Sequence, residues 1–260
     1  MGFWEALLAA TEWENRHGPR VISFVGAGGK TTSMFTLAKE CREREAPILV
    51  TTTTAIYLPE KQPFDHLWIE AEEKTGLEEE VPLSGITVWG DHVTKENKLK
   101  GIQLPTLETM IRDKSYDRIL IEADGSKEKP LKAPDEKEPV IPEGTDLVIG
   151  VLGISILDQQ NTENHIHRSH LYRNITNSLE GEPVTAKNVA QLVVHPKGLF
   201  KNTPKGARQL LLINQVDDKR RQRQAREIFR YVRSYQASFF PLMATSFDTE
   251  TFQLKRSEAG

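Results

Sequence analysis

Short apolar runs alternate with longer polar segments along the chain: VISFV (21–25), PILVTT (47–52), HLWIEA (66–71), ITVWG (86–90), RILIEA (118–123), DLVIGVLG (146–153), QLLLINQ (209–215) and FFPLMA (239–244). Several are continuously apolar and β-branched, the pattern of strands covered on both faces of a parallel sheet. Between them, hydrophobic positions recur at helical spacing near 30–44, 105–114, 185–195 and 218–235. The alternation predicts a three-layer α/β fold with a mainly parallel sheet. Right-handed crossovers then gather the loops that follow the strand C-termini along one edge, where such folds bind ligands. The N-terminal MGFWEALLAATEWEN predicts an amphipathic helix with Phe3, Trp4, Leu7, Leu8 and Trp13 available for packing. Segment 124–145 is rich in proline and charge and excludes a long helix; an irregular segment of that length is expected to be functional or mobile. The organisation expected is one domain over 1–260, with a small inserted subdomain around 155–207.

The first predicted strand runs into Gly26-Ala27-Gly28-Gly29-Lys30-Thr31-Thr32, which opens the first long helix. Glycines let backbone N–H groups converge on phosphate oxygens, and the helix N-terminus favours the same anion. Lys30 is expected to bridge the β- and γ-phosphates of ATP or GTP, and the Thr31 hydroxyl to hold Mg²⁺. The longer G-x-x-x-x-G-K-[ST] pattern has Phe24 at its first position, leaving the shorter G-x-x-G-K-T-T. The fold expected is therefore P-loop NTPase-like. Strand 118–123 ends at Glu122 and Asp124, placed as a Walker B end is, with one carboxylate to hold Mg²⁺ and one to polarise a nucleophile. Lys30, Glu122 and Asp124 are the catalytic candidates.

Thr52, Thr53 and Thr54 follow a strand and offer hydroxyls to phosphate, Mg²⁺ or water, although threonine also simply favours strands. Asn214-Gln215-Val216-Asp217 has the N-K-x-D form of a guanine-reading loop, with Gln215 in place of lysine. Asn214 and Asp217 are candidates for base recognition, and ATP and GTP both stay open. His165, His167 and His170 flank Arg168; the spacing matches no familiar zinc pattern, and His167 with Arg168 is better read as lying over nucleotide or substrate. Lys127, Lys129 and Lys132 either form a solvated run or line an anionic substrate site. Lys219, Arg220, Arg221, Arg223 and Arg226 start the last helix as a basic face, solvated or docked to an acidic partner.

A net charge of −3 over 260 residues argues against a surface that coats nucleic acid. No apolar run reaches membrane-spanning length. The single cysteine, Cys41, excludes a disulfide framework within the chain and suits a cytoplasmic protein.

Taken together, FVGAGGKTT, LVTTTTAIYLP, LIEADGSKEKPLKAPDEKEPVIP, IHR, HPKG and LLINQVDD resemble the selenium-dependent hydroxylase accessory protein family of the YqeC type, over roughly residues 15–220. The resemblance implies an accessory role in maturing selenium-dependent molybdenum hydroxylases, with the apoenzyme, its cofactor or another maturation factor as partner. Gly26, Gly28, Gly29, Lys30 and Thr31 match its phosphate loop, and Glu122, Asp124 and Gly125 its acidic strand end. The Glu122–Gly125 segment also looks like the E-x-x-G end of metallochaperone GTPases. The loop itself is similar to that of Mur-type ligases. An ATP-dependent small-molecule kinase or Mur-like ligase, with Lys127, Lys129, His167 and Arg168 on its substrate, is the alternative.

Overall fold

The computed structural model describes residues 2–13, 17–42, 47–58, 64–73, 84–235, 241–247 and 251–255. In chain order the elements are α1 (Phe3–Thr11), β1 (Val21–Gly26), α2 (Lys30–Arg42), β2 (Ile48–Thr52), β3 (Ala55–Tyr57), β4 (His66–Ile69), α3 (Glu70–Glu73), β5 (Ile86–Gly90), β6 (Lys98–Lys100), α4 (Leu104–Asp113) and β7 (Arg118–Glu122). There follow β8 (Leu131–Lys132), β9 (Leu147–Gly153), β10 (Ile166–His167), α5 (Ser169–Thr176), α6 (Ala186–Val194), β11 (Arg208–Asn214), α7 (Lys219–Tyr235), β12 (Leu242–Ser246) and β13 (Thr251–Lys255). The main sheet runs β13-β12-β11-β9-β1-β7-β2-β5-β4; among the described residues all its pairings are parallel except β12 with β13.

Alternation along each central strand builds the layers, because successive side chains point to opposite faces. Val21 and Val25 of β1 pack with Ile119 and Ile121 of β7 under α4, α6 and α7. Ile22 and Phe24 pack with Leu120 on the other face, under α1 and α2. The result is the helix–sheet–helix sandwich that the apolar runs predict. α1 is held where it starts: the Glu40 carboxylate of α2 accepts from the Phe3 and Trp4 amides at 2.8 and 2.7 Å. Cys41 is buried on α2. No helix among the described residues is long and apolar enough to cross a membrane.

Several elements differ from the sequence expectation in detail. The predicted strand at 66–71 gives way to α3 at Glu70. Predicted residues 43–44, 239 and 240 lie outside the described residues. Segment 124–145 has no helix and is tied down along its length: β8 pairs with β10, and the Val140 amide donates to Ala123 O at 3.0 Å. Two-residue pairings such as β8–β10 carry no periodic signal. Residues 155–207 contribute α5 and α6, and their Tyr172, Val189 and Leu192 join the same core that lies under α7.

Candidate functional site

β1 and β7 are neighbours, with Phe24 opposite Glu122, so the glycine loop and the acidic strand end emerge side by side at the C-terminal edge of the sheet. The loop turns into α2 at Lys30, whose side chain is 2% exposed. Lys30 Nζ donates to Gly26 O at 2.6 Å and lies 3.1 Å from Asp124 Oδ1 and 3.5 Å from Glu122 Oε1. The Thr31 hydroxyl donates to Glu122 Oε2 at 2.8 Å. The Gly26 amide donates to both Asp124 oxygens, at 3.1 and 3.0 Å. Burial alone would lower the Lys30 pKa, but Asp124 and Glu122 outweigh it and hold the ammonium protonated. Burial raises the Glu122 carboxyl, while Lys30 and the Thr31 hydroxyl pull the other way.

Behind Asp124 a second lysine continues the charge chain. Lys132 on β8 is 1% exposed and donates to Gly125 O at 2.6 Å and Glu138 Oε2 at 2.5 Å; it pairs with Asp124 at 3.1 Å. Arg168 in turn holds Glu138 and Asp135, each at 2.7 Å. Sequence reasoning placed Lys132 either in a solvated run or on an anionic substrate; the structure buries it in ion pairs with Asp124 and Glu138 instead, and the role of Glu138 was not foreseen. The available signal was a lysine inside the short run Pro130-Leu131-Lys132-Ala133-Pro134, where residues 131–134 are all buried.

A cavity of about 1160 Å³ opens over the loop and is lined by Gly28, Gly29, Lys30, Thr31, Thr32, Thr53, Thr54, Glu122, Lys127, His167 and Arg168 among others. Gly26, Ala27 and Asp124 are buried. Thr52 is turned away, its hydroxyl donating to Glu122 O at 2.7 Å, and Thr53 donates to Val140 O at 2.8 Å. Asn214 supports the loop: its Nδ2 donates to Gly28 O at 3.0 Å, and its Oδ1 accepts from the Gln215 amide at 2.8 Å. Asp217 accepts from Ser246 at 2.6 Å and Arg221 at 2.5 Å and does not line the cavity, whereas Gln215 does. Of the three clustered histidines only His167 faces it; His165 Nδ1 sits 3.0 Å from Gln160 O, and His170 Nδ1 3.6 Å from Glu163. Among the described residues no group of three or more His, Cys, Asp or Glu side chains is placed to hold a metal ion. Tyr57, Lys98 and Lys100, from the β3–β6 pair, also line the cavity and were not anticipated.

Four non-glycine residues on the cavity wall hold left-handed backbone: Lys127 (φ 49°), Glu128 (φ 58°), Arg168 (φ 62°) and Gln215 (φ 66°). Such conformations cost on the order of 1–2 kcal/mol each and persist where the surroundings impose them.

Burial alone would raise the Glu138 carboxyl, but Arg168 and Lys132 reverse the sign and hold it at about 2, against an ordinary 4.5. A carboxyl depressed in the folded state contributes stability that is complete above its ordinary pKa and is lost as the pH falls through the folded value. Glu138 is therefore expected to account for a loss of about 2–3 kcal/mol between about pH 4.5 and about pH 2. Urea midpoints measured across that window should fall less steeply in Glu138→Gln than in the wild type, and parallel curves would refute the assignment. Burial first, then Arg168, Lys132 and Lys127, push His167 down to about 4, with Glu138 opposing, so its imidazole is neutral at neutral pH.

A family model described as YqeC protein matches residues 22–170. The uncharacterized protein YqeC of Escherichia coli (strain K12) is 35% identical over 198 residues, covering 75% of this chain and 76% of that protein. The family match spans the loop, Glu122, Asp124, Lys132, Glu138 and Arg168, and ends before Asn214.

Proposed function

The chain belongs to the YqeC family, and we propose that it is a cytoplasmic, Mg²⁺-dependent nucleotide-binding accessory factor for the maturation of selenium-dependent molybdenum hydroxylases. The observation that carries the nucleotide reading is the 2.8 Å contact between Thr31 and Glu122, which brings the first helical hydroxyl and the acidic strand end together at the cavity floor. A hydroxyl and a carboxylate are hard oxygen donors, the set that suits a Mg²⁺ ion keeping most of its water and shared with phosphate oxygens. Mg²⁺ bound there supplies charge neutralisation at the phosphates. Lys30, released from Asp124 and Glu122, turns its ammonium to the phosphate oxygens and steadies the charge that develops on hydrolysis. Asp124 keeps its Gly26 and Lys132 partners and so holds the loop in place. Glu122 orients water. The partner on this reading is the hydroxylase apoenzyme or one of its cofactor-maturation factors, and turnover of ATP or GTP is slow until that partner binds.

Titration with ATP, GTP and CTP, with and without Mg²⁺, tests this on the wild type, Lys30→Ala and Thr31→Ala. Lys30→Ala is expected to weaken nucleotide binding at least about tenfold, since a charge-assisted phosphate contact is lost. Thr31→Ala is expected to lose most of the Mg²⁺ dependence while remaining folded by circular dichroism. A wild type that binds none of the three nucleotides overturns the reading. One observation favours the kinase or ligase alternative: Lys127, Lys129, His167 and Arg168 line the same cavity as the loop. Turnover with a small molecule alone, without any protein partner, would decide for it.

A further inference from the structure

Two buried lysines meet at one carboxylate behind the glycine loop. Asp124 is 2% exposed, with Oδ1 3.1 Å from Lys30 Nζ and Oδ2 3.1 Å from Lys132 Nζ. The Gly26 amide donates to the same two oxygens, at 3.1 and 3.0 Å. Lysine is seldom fully buried, and a single cation is enough to balance a single carboxylate. The second lysine acquires a use when the first one leaves.

The two lysines differ in what they can reach. Lys30 lines the cavity, whereas Lys132 and Asp124 do not. Lys132 is fixed on several sides: it donates to Gly125 O at 2.6 Å and to Glu138 Oε2 at 2.5 Å, and β8 pairs it with His167 of β10. Glu138 is itself held by Arg168 at 2.7 Å. Lys30 is therefore the one that can turn to a ligand. Its departure takes a cation from both Glu122 and Asp124. Glu122 lines the cavity, where water and cations reach it, and keeps the Thr31 hydroxyl at 2.8 Å. Asp124 lies behind the loop, so only a cation of the protein can balance it there. A buried carboxylate stripped of its partner is strongly unfavourable.

We propose that Lys132 is a positioning residue for phosphate binding: it stays on Asp124 as counter-cation, and so lets Lys30 leave that carboxylate for the phosphates of the ligand. The proposal rests on the nucleotide reading of the loop. Without Lys132, the one lysine left on Asp124 is Lys30, and a bound phosphate has to compete with a buried ion pair for it. Lys132 thus sets affinity without touching the ligand.

The test is a mutant cycle on the full chain: wild type, Lys132→Met, Asp124→Asn and the variant carrying both changes, each checked for folding by urea denaturation. The probes are the Mg²⁺ complex of a non-hydrolysable ATP or GTP analogue and, separately, inorganic tripolyphosphate. Lys132→Met is expected to weaken binding at least about tenfold, because Lys30 is then retained by Asp124. Asp124→Asn is expected to tighten it about threefold or more, because Lys30 loses a competitor. In the Asp124→Asn background, adding Lys132→Met is expected to change affinity by less than about twofold, the cancellation that a purely structural role would not produce. Wild-type affinity in Lys132→Met overturns the proposal. So does an undiminished effect of Lys132→Met in the Asp124→Asn background, which would place its action on Glu138 or on segment 124–145. An Asp124→Asn variant that binds no more tightly than the wild type overturns it too. Where Lys132→Met alone does not fold, Asp124→Asn and the paired variant still decide, since neither carries the stranded carboxylate. A wild type that binds tripolyphosphate but neither analogue sinks the nucleotide reading alone, and the tripolyphosphate affinities then decide the role of Lys132. A wild type that binds none of the probes overturns both.

Discussion

Lys132→Met is expected to destabilise the protein by about 3–5 kcal/mol, the cost of removing one partner from a buried ion pair. Methionine fills most of the volume of the lysine stem, so packing changes little, and the loss is electrostatic. Lys132 meets Asp124 at 3.1 Å, Glu138 at 2.5 Å and Gly125 O at 2.6 Å while only 1% exposed. Without it, Asp124 keeps Lys30 and the Gly26 amide, and Glu138 keeps Arg168. Each carboxylate then has one cation where it had two. The Glu138 carboxyl should rise from its value of about 2, so the acid loss of stability attributed to it should shrink. Urea denaturation at pH 7 gives the first quantity and its pH dependence the second. A double-mutant cycle with Glu138→Gln should show that the paired variant costs less than the two single changes together, because the two side chains share one interaction. A Lys132→Met variant within about 1 kcal/mol of the wild type would mean that the pair is screened like a surface salt bridge.

Lys132 also marks where sequence reasoning stopped. The strands were legible because Val21–Gly26, Arg118–Glu122 and Leu147–Gly153 are apolar on both faces, which only a covered parallel sheet requires. The closeness of the glycine loop to Glu122 was legible too, since a strand, a glycine turn and a lysine-opened helix imply one edge of such a sheet. The charge chain from Asp124 through Lys132 and Glu138 to Arg168 was not. Its members are brought together by a two-residue pairing of β8 with β10 and by the path of segment 124–145, and neither leaves a periodic trace. Lysine is buried so seldom that a run of mixed charge reads as solvated until the partners are placed. The Asn214–Asp217 segment was legible as a loop with a role, but not as to which role each residue has. Asn214 braces the Gly28 carbonyl, whereas Asp217 is engaged by Ser246 and Arg221. Tyr57, Lys98 and Lys100 reach the cavity through a β3–β6 pairing that no local pattern announces.

Gly28→Ala is expected to weaken nucleotide binding by about 100-fold or more, with Gly29→Ala milder and Gly125→Ala without effect. Gly28 has φ +81°, and a Cβ there would lie 2.3 Å from Gly153 N, 2.6 Å from Gly153 Cα and 2.9 Å from Pro130 O. All three are backbone atoms, so no rotamer change can relieve the overlap. The left-handed conformation adds about 1–2 kcal/mol for any L side chain. The loop must shift, and it presses on the 3.0 Å hydrogen bond from the Gly153 amide to Pro130 O that ties the end of β9 to segment 124–145. Losing two charge-assisted amide contacts to phosphate, at about 1.5 kcal/mol each, weakens binding about 100-fold. At Gly29 a Cβ would meet Asn214 Nδ2 at 2.1 Å, the far end of a side chain that can swing aside, although φ +124° leaves some strain. Gly125 has ordinary φ, and nothing lies within 4 Å of a Cβ placed there. The ordering of the three variants is therefore set by what each methyl would strike. Nucleotide titration of all three, with urea midpoints to separate loss of binding from loss of fold, measures it. Near-wild-type binding by Gly28→Ala would show that phosphate is held elsewhere than in the amide cradle between β1 and α2.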